Sequence, residues 1–544
     1  MRVFRRAPTL EITDRTSEVR RAILVVGQAG YGHETEYEYV VAGGGTAGCV
    51  LAARLSENPG VRVLLVEAGS GELPEGARTP QVWPTLLGSS SDWGDFVIDE
   101  ITKRSIPFPR GKGLGGSTDI NVMVFIRGHR SGYDAWADAG AEGWGFDDLL
   151  PFFKRSETAP DRDSAVRGTA GPVTVRTVAT HNPVAAALLD ATREVGLPQA
   201  ADPSSGFEEG FGWHDVTIRD GRRITAADAY LTPAVRARRN LTVVTDALVG
   251  RVLVEDGRCT GIEYGAGGRG NTARCTRETV LTAGTVGSAQ LLLLSGIGPE
   301  SHLRSVGVRP VLNLPGVGEN LSDHTLSGVG YEAARPVPAG VSNHAELSGI
   351  ITAPIPGYAD QERPNIQFMI ASNGRIIPPG KRPENSYSIG FALMTPKSRG
   401  TVRLADPEPD SPPVIEPGYF SDPHDLDGML TALRIAQKIG AARVLEPWRL
   451  REVGPGPEMT TERELRSYIV DSYSSYWHYA GTARIGTDVM SVVDPQLRVH
   501  GITGLRVADA SVMPFVPAAN PMPAVYAIAE RAASLITAPA REGT

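Results

Sequence analysis

The 544-residue sequence predicts an α/β protein, and three stretches carry that prediction. The segment "YEYVVAGGGTAGCVLAARLSENPGVRVLLVEAG" from Tyr37 has the pattern of a strand, a glycine turn, a helix and a second strand. Short strand patterns follow one another in "NIQFMIAS", "SYSIGFALMTP" and "TVRLAD", which is typical of an antiparallel sheet. The segment "HDLDGMLTALRIAQKIGA" has the spacing of an amphipathic helix.

Composition narrows the class of protein. The formal net charge of −8 argues against a nucleic-acid-binding surface, and the hydrophobic fraction of 41% is too high for a disordered chain. Three cysteines are too few for a disulfide framework, and their spacing predicts no zinc or other metal site, so a reduced, cytoplasmic setting is favoured. No apolar run is long enough for a membrane span, and residues 1–36 are interpreted as an N-terminal extension without a signal peptide.

The first strand and helix enclose a dinucleotide-binding motif. Gly43, Gly45 and Gly48 form G-x-G-x-x-G, in which the glycines permit the tight turn, the approach of a pyrophosphate and close helix packing. The start of the helix offers N–H groups to the phosphates, and Glu67 closes the second strand, where it can accept from ribose hydroxyls. This unit predicts a Rossmann-like fold, and by itself it leaves NAD and FAD both open.

A second glycine run lies in "RGKGLGGSTDINVMVFIRGHRSGYDAW", with four glycines within six residues from Gly111. Such a loop can hold a planar or phosphorylated ligand, although alone it is equally typical of a mobile loop. Residues 111–128 and the later segment "GTVGSAQLLLLSGIGP" resemble the two signatures of the glucose–methanol–choline (GMC) flavin oxidoreductases. "RRITAADAYLTPA" and "NLTVVTDALVGRV" are also similar to that family, and the resemblance extends from Tyr37 to Ile536.

The resemblance implies FAD as the cofactor and assigns residues to it by position. These are Gly43, Gly45, Thr46, Ala47 and Gly48 at the diphosphate, Glu67 at the ribose, Val249 at the adenine, Gly115, Gly116, Asn121 and Val124 along the flavin ring, and Asp509 and Ala510 at the diphosphate and ribityl chain. Some family members attach FAD through a histidine just before the asparagine. That position is Ile120 here, so non-covalent FAD is expected.

Members of the family interleave a Rossmann-like FAD-binding unit with a substrate unit built on an antiparallel sheet with flanking helices. We predict the same arrangement here. The FAD-binding unit is expected at residues 37–157, 205–325 and 481–544, and the substrate unit at residues 158–204 and 326–480.

The family resemblance also assigns two catalytic residues. In "SYWHYAGTARIG", His478 matches the family histidine that points at the reactive edge of the flavin, and Asn520 in "AANPMP" matches its partner. Histidine has a pKa near neutrality and suits removal of a hydroxyl proton, while an asparagine amide orients the substrate oxygen without titrating. The aromatic residues Tyr473, Tyr476, Trp477 and Tyr479 are expected to wall the pocket. His129, His214, His324, His344 and His500 are expected to be structural or exposed.

The leading functional hypothesis is oxidation of a small-molecule alcohol to a carbonyl, with hydride transfer to flavin N5. The sequence leaves open whether oxygen or another carrier accepts the electrons, and whether the chain forms a homo-oligomer. Two alternatives stay open: an FAD-containing lyase of the hydroxynitrile-lyase type without net redox, and a flavin-bound protein without catalysis. An uncharged alcohol is favoured over choline, because no carboxylate for a cation can be placed in the pocket.

Overall fold

A computed structural model describes residues 35–340, 342–357, 363–377 and 382–538. Most of the predicted N-terminal extension therefore lies outside the described residues. The α-helices are Thr46–Leu55, Trp83–Leu86, Arg130–Asp138, Phe146–Ser156, Pro183–Glu194, Ala226–Tyr230, Pro233–Arg236, Gly284–Leu294, Glu300–Ser305, Pro423–Gly440, Glu462–Ser472 and Met522–Thr537. Within these ranges, none of the helices has the length and apolar character needed to cross a membrane.

The first of two large sheets contains the glycine motif. Its strands, in spatial order, are Leu241–Val244, Val63–Val66, Thr35–Ala42, Asn271–Leu281, Arg258–Gly265 and Leu248–Glu255, with Leu505–Val507 paired to Asn271–Leu281. The strands at Thr35–Ala42 and Val63–Val66 run parallel, and all four residues of the latter are buried. A short apolar strand buried on both faces is what a helix-covered parallel sheet requires.

The helix Thr46–Leu55 packs against this sheet because two glycines bring its start close to the first strand. A Cβ on Gly48 would lie 1.9 Å from the carbonyl oxygen of Gly43, so only glycine fits there. Gly43 itself has a φ of +111°, which L side chains rarely adopt. The turn, the helix and the second strand therefore follow the sequence prediction.

The second sheet, called the roof sheet here, is antiparallel. Its strands, in spatial order, are Arg449–Gly454, Thr325–Ala333, Ser386–Leu393, Ile366–Ala371, Leu347–Ile351 and Gly210–Trp213, with Ser474–Ser475 paired to Thr325–Ala333. The predicted "TVRLAD" strand forms at Thr401–Arg403, but it pairs with Val414–Glu416 outside the roof sheet. The predicted α/β class is confirmed, whereas the segment boundaries of the two units stay a prediction.

The two faces of the roof sheet differ in chemistry. Ile366, Phe368 and Ile370 face a core shared with helices Pro423–Gly440 and Pro183–Glu194. The alternate residues Gln367 and Met369 point to the opposite face, as the twofold period of a strand requires. The helical face is therefore a hydrophobic core, and the other face is free to form a site.

Glycines leave space for a loop on the face of the roof sheet opposite the helices. A Cβ on Gly328 or on Gly390 would lie 2.6 Å or 2.5 Å from side-chain carbons of Ile376. A Cβ on Gly330 would lie 2.3 Å from Ile377. The loop that follows the strand Ile366–Ala371 therefore lies directly on the sheet, with its two isoleucines filling the space above the glycines.

A buried charge network connects the loop after helix Phe146–Ser156 to the segments on both sides of the roof-sheet strand Gly210–Trp213. The guanidinium of Arg167 contacts Glu157, Asp202 and Asp215, each at 2.8 Å. The side chain of Arg167 is fully buried. Breaking such a network by removing one partner leaves buried charge uncompensated, which typically costs about 3–5 kcal/mol.

We expect Arg167→Met to lower the urea midpoint of unfolding markedly, because three buried carboxylates lose the guanidinium that they share. Arg127 and Arg162 remain, paired with Glu157 and Asp215. The measurement is equilibrium denaturation followed by fluorescence. The control is Arg443→Met, whose side chain is 87% exposed and whose ion pair with Glu194 should contribute no more than about 1 kcal/mol. Equal midpoints for the two variants would contradict the importance of the network.

Candidate active site

His478 lies on a turn that follows the short strand Ser474–Ser475 at the edge of the roof sheet. The preceding residue, Trp477, has a φ of +63°, an uncommon value for a non-glycine residue. The turn is held by the Ser475 hydroxyl, which accepts from the Trp477 N–H at 2.8 Å. The backbone N–H of His478 donates to Asp323 at 2.8 Å. The orientation of His478 is thus fixed by backbone contacts on both sides.

Asp323 is a buried carboxylate that organises this turn. It accepts from the backbone N–H groups of His478 and His324 and from the hydroxyls of Tyr419 and Ser475, the last two at 2.6 Å. Burial raises the pKa of Asp323 to about 6. With four donors, its oxygens are occupied within the protein, so Asp323 holds the two histidine segments together and is not exposed to a ligand.

His324 contacts His478 directly, although the sequence predicted only a structural or exposed role for it. The two Nδ1 atoms lie 2.9 Å apart, and Nε2 of His324 lies 3.2 Å from the carbonyl oxygen of Met394. A carbonyl can only accept, so Nε2 of His324 carries the hydrogen. His324 Nδ1 is then an acceptor, and His478 Nδ1–H must donate to it.

The same reasoning gives the directions of the hydrogen bonds at Nε2 of His478. Its Nε2 lacks a hydrogen and lies 3.1 Å from Nδ2 of Asn520, which donates to it. The oxygen of Asn520 in turn accepts from Nε2 of Gln367 at 3.2 Å. Every hydrogen bond therefore points toward the Met394 carbonyl, along a chain that we call the directed chain: Gln367, Asn520, His478, His324 and Met394.

Burial sets the charge state of both imidazoles. It lowers the pKa of His478 well below its usual value, with His324 as a second cause, and it lowers the pKa of His324 to about 3. Both rings are thus neutral at neutral pH. The Nε2 of His478 carries no hydrogen, and its lone pair, which accepts from Asn520 in this structure, can accept a proton when a hydroxyl group takes the place of that amide.

Asn520 could have been a helix cap, since it precedes the last helix, Met522–Thr537. The N-cap of that helix is Pro521, which makes no side-chain cap hydrogen bond. The amide of Asn520 instead contacts His478 and Gln367. Its placement is that of a site residue.

An apolar cluster lies beside His478, whose ring is 4.2 Å from the ring of one member, Tyr476, between centroids. Its buried members are Val124, Ile126, Ala345, Met369, Ala392, Met394, Tyr476, Ala518 and Ala519. Of the four aromatic residues expected to wall the pocket, only Tyr476 belongs to it. Tyr473 and Tyr479 pack in a different cluster, with Tyr479 stacked on Phe108 at 3.6 Å between ring centroids, and Trp477 packs against that same cluster. Tyr476 is thus the one of the four that packs in the cluster beside His478, and the aromatic wall stays a prediction for the other three.

The two glycine runs meet each other. The N–H of Gly115 donates to the carbonyl of Gly44 at 2.9 Å, and a Cβ on Gly116 would lie 2.7 Å from Cα of Gly45. The helix Thr46–Leu55, which contains Thr46, Ala47 and Gly48, begins at Gly45 with no side-chain cap among the described residues. A helix start without a cap offers N–H groups to an anion.

Glu67 is buried at the end of its strand beside these loops. It accepts from the N–H of Gly44 at 2.7 Å and from the N–H of Gly69 at 2.8 Å. Burial raises its pKa above the usual value, while these N–H donors oppose the shift. A carboxylate has more lone pairs than these two donors use, so it can accept further hydrogen bonds.

The remaining predicted cofactor residues are placed around these loops. Asn121 accepts from Arg223 at 2.9 Å, and its Nδ2 contacts the sulfur of Met522, two residues beyond Asn520. Asp509 accepts from the N–H of Gly284 at 2.9 Å and caps the short helix that begins with Ala510. Val124 is buried in the apolar cluster, and Val249 lies on the strand Leu248–Glu255. Asn121 thus contacts the start of the last helix, and Val124 packs in the cluster that contains Met394.

Comparison with known proteins identifies the family. The family models described as GMC oxidoreductase match residues 37–326 and 396–529. The chain is 34% identical to human mitochondrial choline dehydrogenase, covering 94% of this chain and 91% of that protein. It is 38% identical to choline oxidase of Arthrobacter globiformis, covering 92% and 94%. The solved structure of pyridoxine 4-oxidase from Mesorbium loti superposes with a TM-score of 0.86 at 36% identity, covering 91% of this chain and 98% of that one. The chain therefore belongs to the GMC family of FAD-dependent oxidoreductases that act on alcohols.

Proposed function

We propose that this protein oxidises a small, uncharged alcohol to its carbonyl compound, with His478 as the base that accepts the hydroxyl proton. The observation that supports the proposal is the directed chain, which leaves the Nε2 lone pair of a neutral, buried His478 beside the amide of Asn520. A base of this kind contributes about 10²–10⁴-fold to a proton-transfer step.

The glycine loops and Glu67 fit the FAD of this family. The uncapped helix at Gly45 suits the diphosphate, and the spare lone pairs of Glu67 suit ribose hydroxyls. We propose that Gly43, Gly45, Thr46, Ala47 and Gly48 hold the diphosphate, with Gly115, Gly116, Asn121, Val124, Val249, Asp509 and Ala510 at the positions expected from the sequence. When bound, FAD supplies the hydride acceptor.

His478 and Asn520 would each form one hydrogen bond with the hydroxyl group of the substrate. A substrate oxygen inserted between His478 Nε2 and Asn520 Nδ2 would donate its hydrogen to the former and accept from the latter. As His478 takes the proton, its Nδ1–H bond to His324 strengthens, because a charged donor makes a stronger hydrogen bond. Asn520 stays neutral throughout, and Gln367 holds its oxygen so that its N–H groups face the site.

An uncharged substrate fits the surroundings of His478. The side chains of the apolar cluster carry no charge, and the carboxylate of Asp323 is already occupied by four donors. Glu346, which follows Ala345 of the cluster, is a buried carboxylate whose Oε2 accepts from the N–H of Asn182 and whose Oε1 has no hydrogen-bond partner among the described residues. The names of the relatives point to two substrate types: choline, a cation, and pyridoxine, an uncharged hydroxylated ring. The apolar side chains beside His478 favour the uncharged type, and Glu346 is the described carboxylate that a cation would require.

We expect the purified protein to be yellow and to release its FAD on acid precipitation, because the buried Ile120 offers no nucleophile for attachment. The measurement is the flavin spectrum of the supernatant and the pellet. A pellet that retains the flavin would show a covalent link elsewhere.

Glu67→Ala should raise the dissociation constant of FAD about tenfold or more, since a hydrogen bond to a charged group contributes about 1.5–3 kcal/mol. Reconstitution of the apoprotein, followed by fluorescence, measures this constant. Glu67→Gln, which keeps the shape and one acceptor, should weaken binding less. An unchanged constant in Glu67→Ala would assign the ribose to another residue.

His478→Ala should keep FAD and slow flavin reduction by an alcohol about 10²-fold or more under anaerobic conditions. In the unmodified enzyme the reduction rate should rise with pH as His478 loses its proton. The lowered pKa places that rise below pH 6.5 and leaves the rate flat near neutrality.

The rise with pH should disappear in His478→Ala and persist in the slower Asn520→Ala, because Asn520 does not titrate. If His478→Ala reduces its flavin as fast as the unmodified enzyme, the base is another group.

A further inference from the structure

Gln367, at the opposite end of the directed chain from Met394, carries an acceptor that no donor of the described residues reaches. Because Gln367 gives its Nε2–H to Asn520, its Oε1 is turned away from Asn520. Gln367 is 1% exposed, and Oε1 has no hydrogen-bond partner in the described part of the chain. A buried acceptor left unpaired carries a large desolvation penalty, so such an atom in a site is suited to a ligand.

The amide of Gln367 cannot rotate to place its N–H group where the unpaired oxygen lies. Exchanging its oxygen and nitrogen would place two oxygens, those of Gln367 and Asn520, against each other. Asn520 cannot rotate in turn, because its N–H donates to His478 Nε2. The Met394 carbonyl therefore determines, through two histidines and one asparagine, that the group presented by Gln367 is an acceptor.

Gln367 also lies on the correct side of the roof sheet. It pairs across strands with Ala392, which pairs with Leu326, and both of these contact the apolar cluster around His478. Tyr476, in the same cluster, has its hydroxyl next to the amide of Asn520, and its ring lies 4.2 Å from the ring of His478, centroid to centroid. The unpaired Oε1 of Gln367 thus occurs beside the residues that handle the reacting hydroxyl.

We infer that Gln367 Oε1 accepts a hydrogen bond from a second donor group on the substrate, so the preferred substrates are uncharged alcohols that carry another hydroxyl or N–H close to the carbinol. This rests on the function proposed above. The trimethylammonium group of choline has no N–H or O–H and cannot fill this role. A site with a buried acceptor discriminates against substrates that leave it unpaired.

The test uses the FAD-loaded enzyme and matched pairs of ring-substituted benzyl alcohols. Each hydroxybenzyl alcohol is compared with the methoxybenzyl alcohol of the same ring position, which has similar electronics but no donor. Anaerobic stopped-flow gives the reduction rate constant divided by the dissociation constant. At the ring position that reaches Gln367, we expect a preference of about tenfold to a hundredfold for the hydroxyl compound.

Gln367→Met should bring that preference close to one, while Met369→Leu, a change on the same strand and face, should keep it. Gln367→Met also removes the hydrogen bond that orients Asn520, and this loss should slow both alcohols of a pair equally. The ratio of their efficiencies therefore reports only the hydrogen bond between Gln367 and the second donor of the substrate. Equal efficiencies at every ring position in the unmodified enzyme, or an unchanged preference in Gln367→Met, would overturn the inference.

Binding alone provides an independent reading. Phenol and anisole lack the carbinol, and their dissociation constants follow from the perturbed flavin spectrum without turnover. If no alcohol reduces the flavin, the proposed function fails. In that case, tighter binding of phenol than anisole that is lost in Gln367→Met still supports the role of Gln367, and equal binding refutes it.

Discussion

The site depends on one group that can only accept, the backbone carbonyl of Met394. It lies at the end of a roof-sheet strand, Ser386–Leu393, and receives the hydrogen of His324. Histidine and the amide side chains can each present either a donor or an acceptor. Without a fixed end, the chain could run in either direction. The carbonyl removes that freedom, and the proton-accepting atom of His478 is determined by main-chain geometry.

Burial keeps the two histidines neutral, and it also imposes a desolvation penalty on Asp323. Taking two imidazoles out of water keeps both neutral, which is the state in which His478 can accept a proton. Burying Asp323 is unfavourable, and four donors offset that penalty. Because two of those donors are the backbone N–H groups of His324 and His478, the same carboxylate aligns the two histidines. Electrostatics and geometry are thus provided by one residue.

Local sequence patterns predicted the glycine turn, its helix and the roof strands, because each depends on residues close together in the chain. His478 and Asn520 were reached through family resemblance, and the structure brings them within 3.1 Å. His324 and Gln367 were missed. Their contacts span 154 and 153 residues and arise from the packing of distant segments against the roof sheet, which no local spacing encodes. The aromatic residues near His478 separate into two clusters, with Tyr476 in one and Tyr473 and Tyr479 in the other, which their spacing in the sequence does not reveal.

The loop that covers the glycines of the roof sheet separates two properties of the protein. Ile376 and Ile377 fill space that the strands leave empty, and neither residue belongs to the directed chain. The glycines and the isoleucines must therefore change together, because a side chain added on the strands would collide with the loop, and a smaller residue in the loop would leave a cavity above the strands. The hydrogen bonds of the directed chain involve neither set of residues, so such paired substitutions can accumulate without altering the proton acceptor.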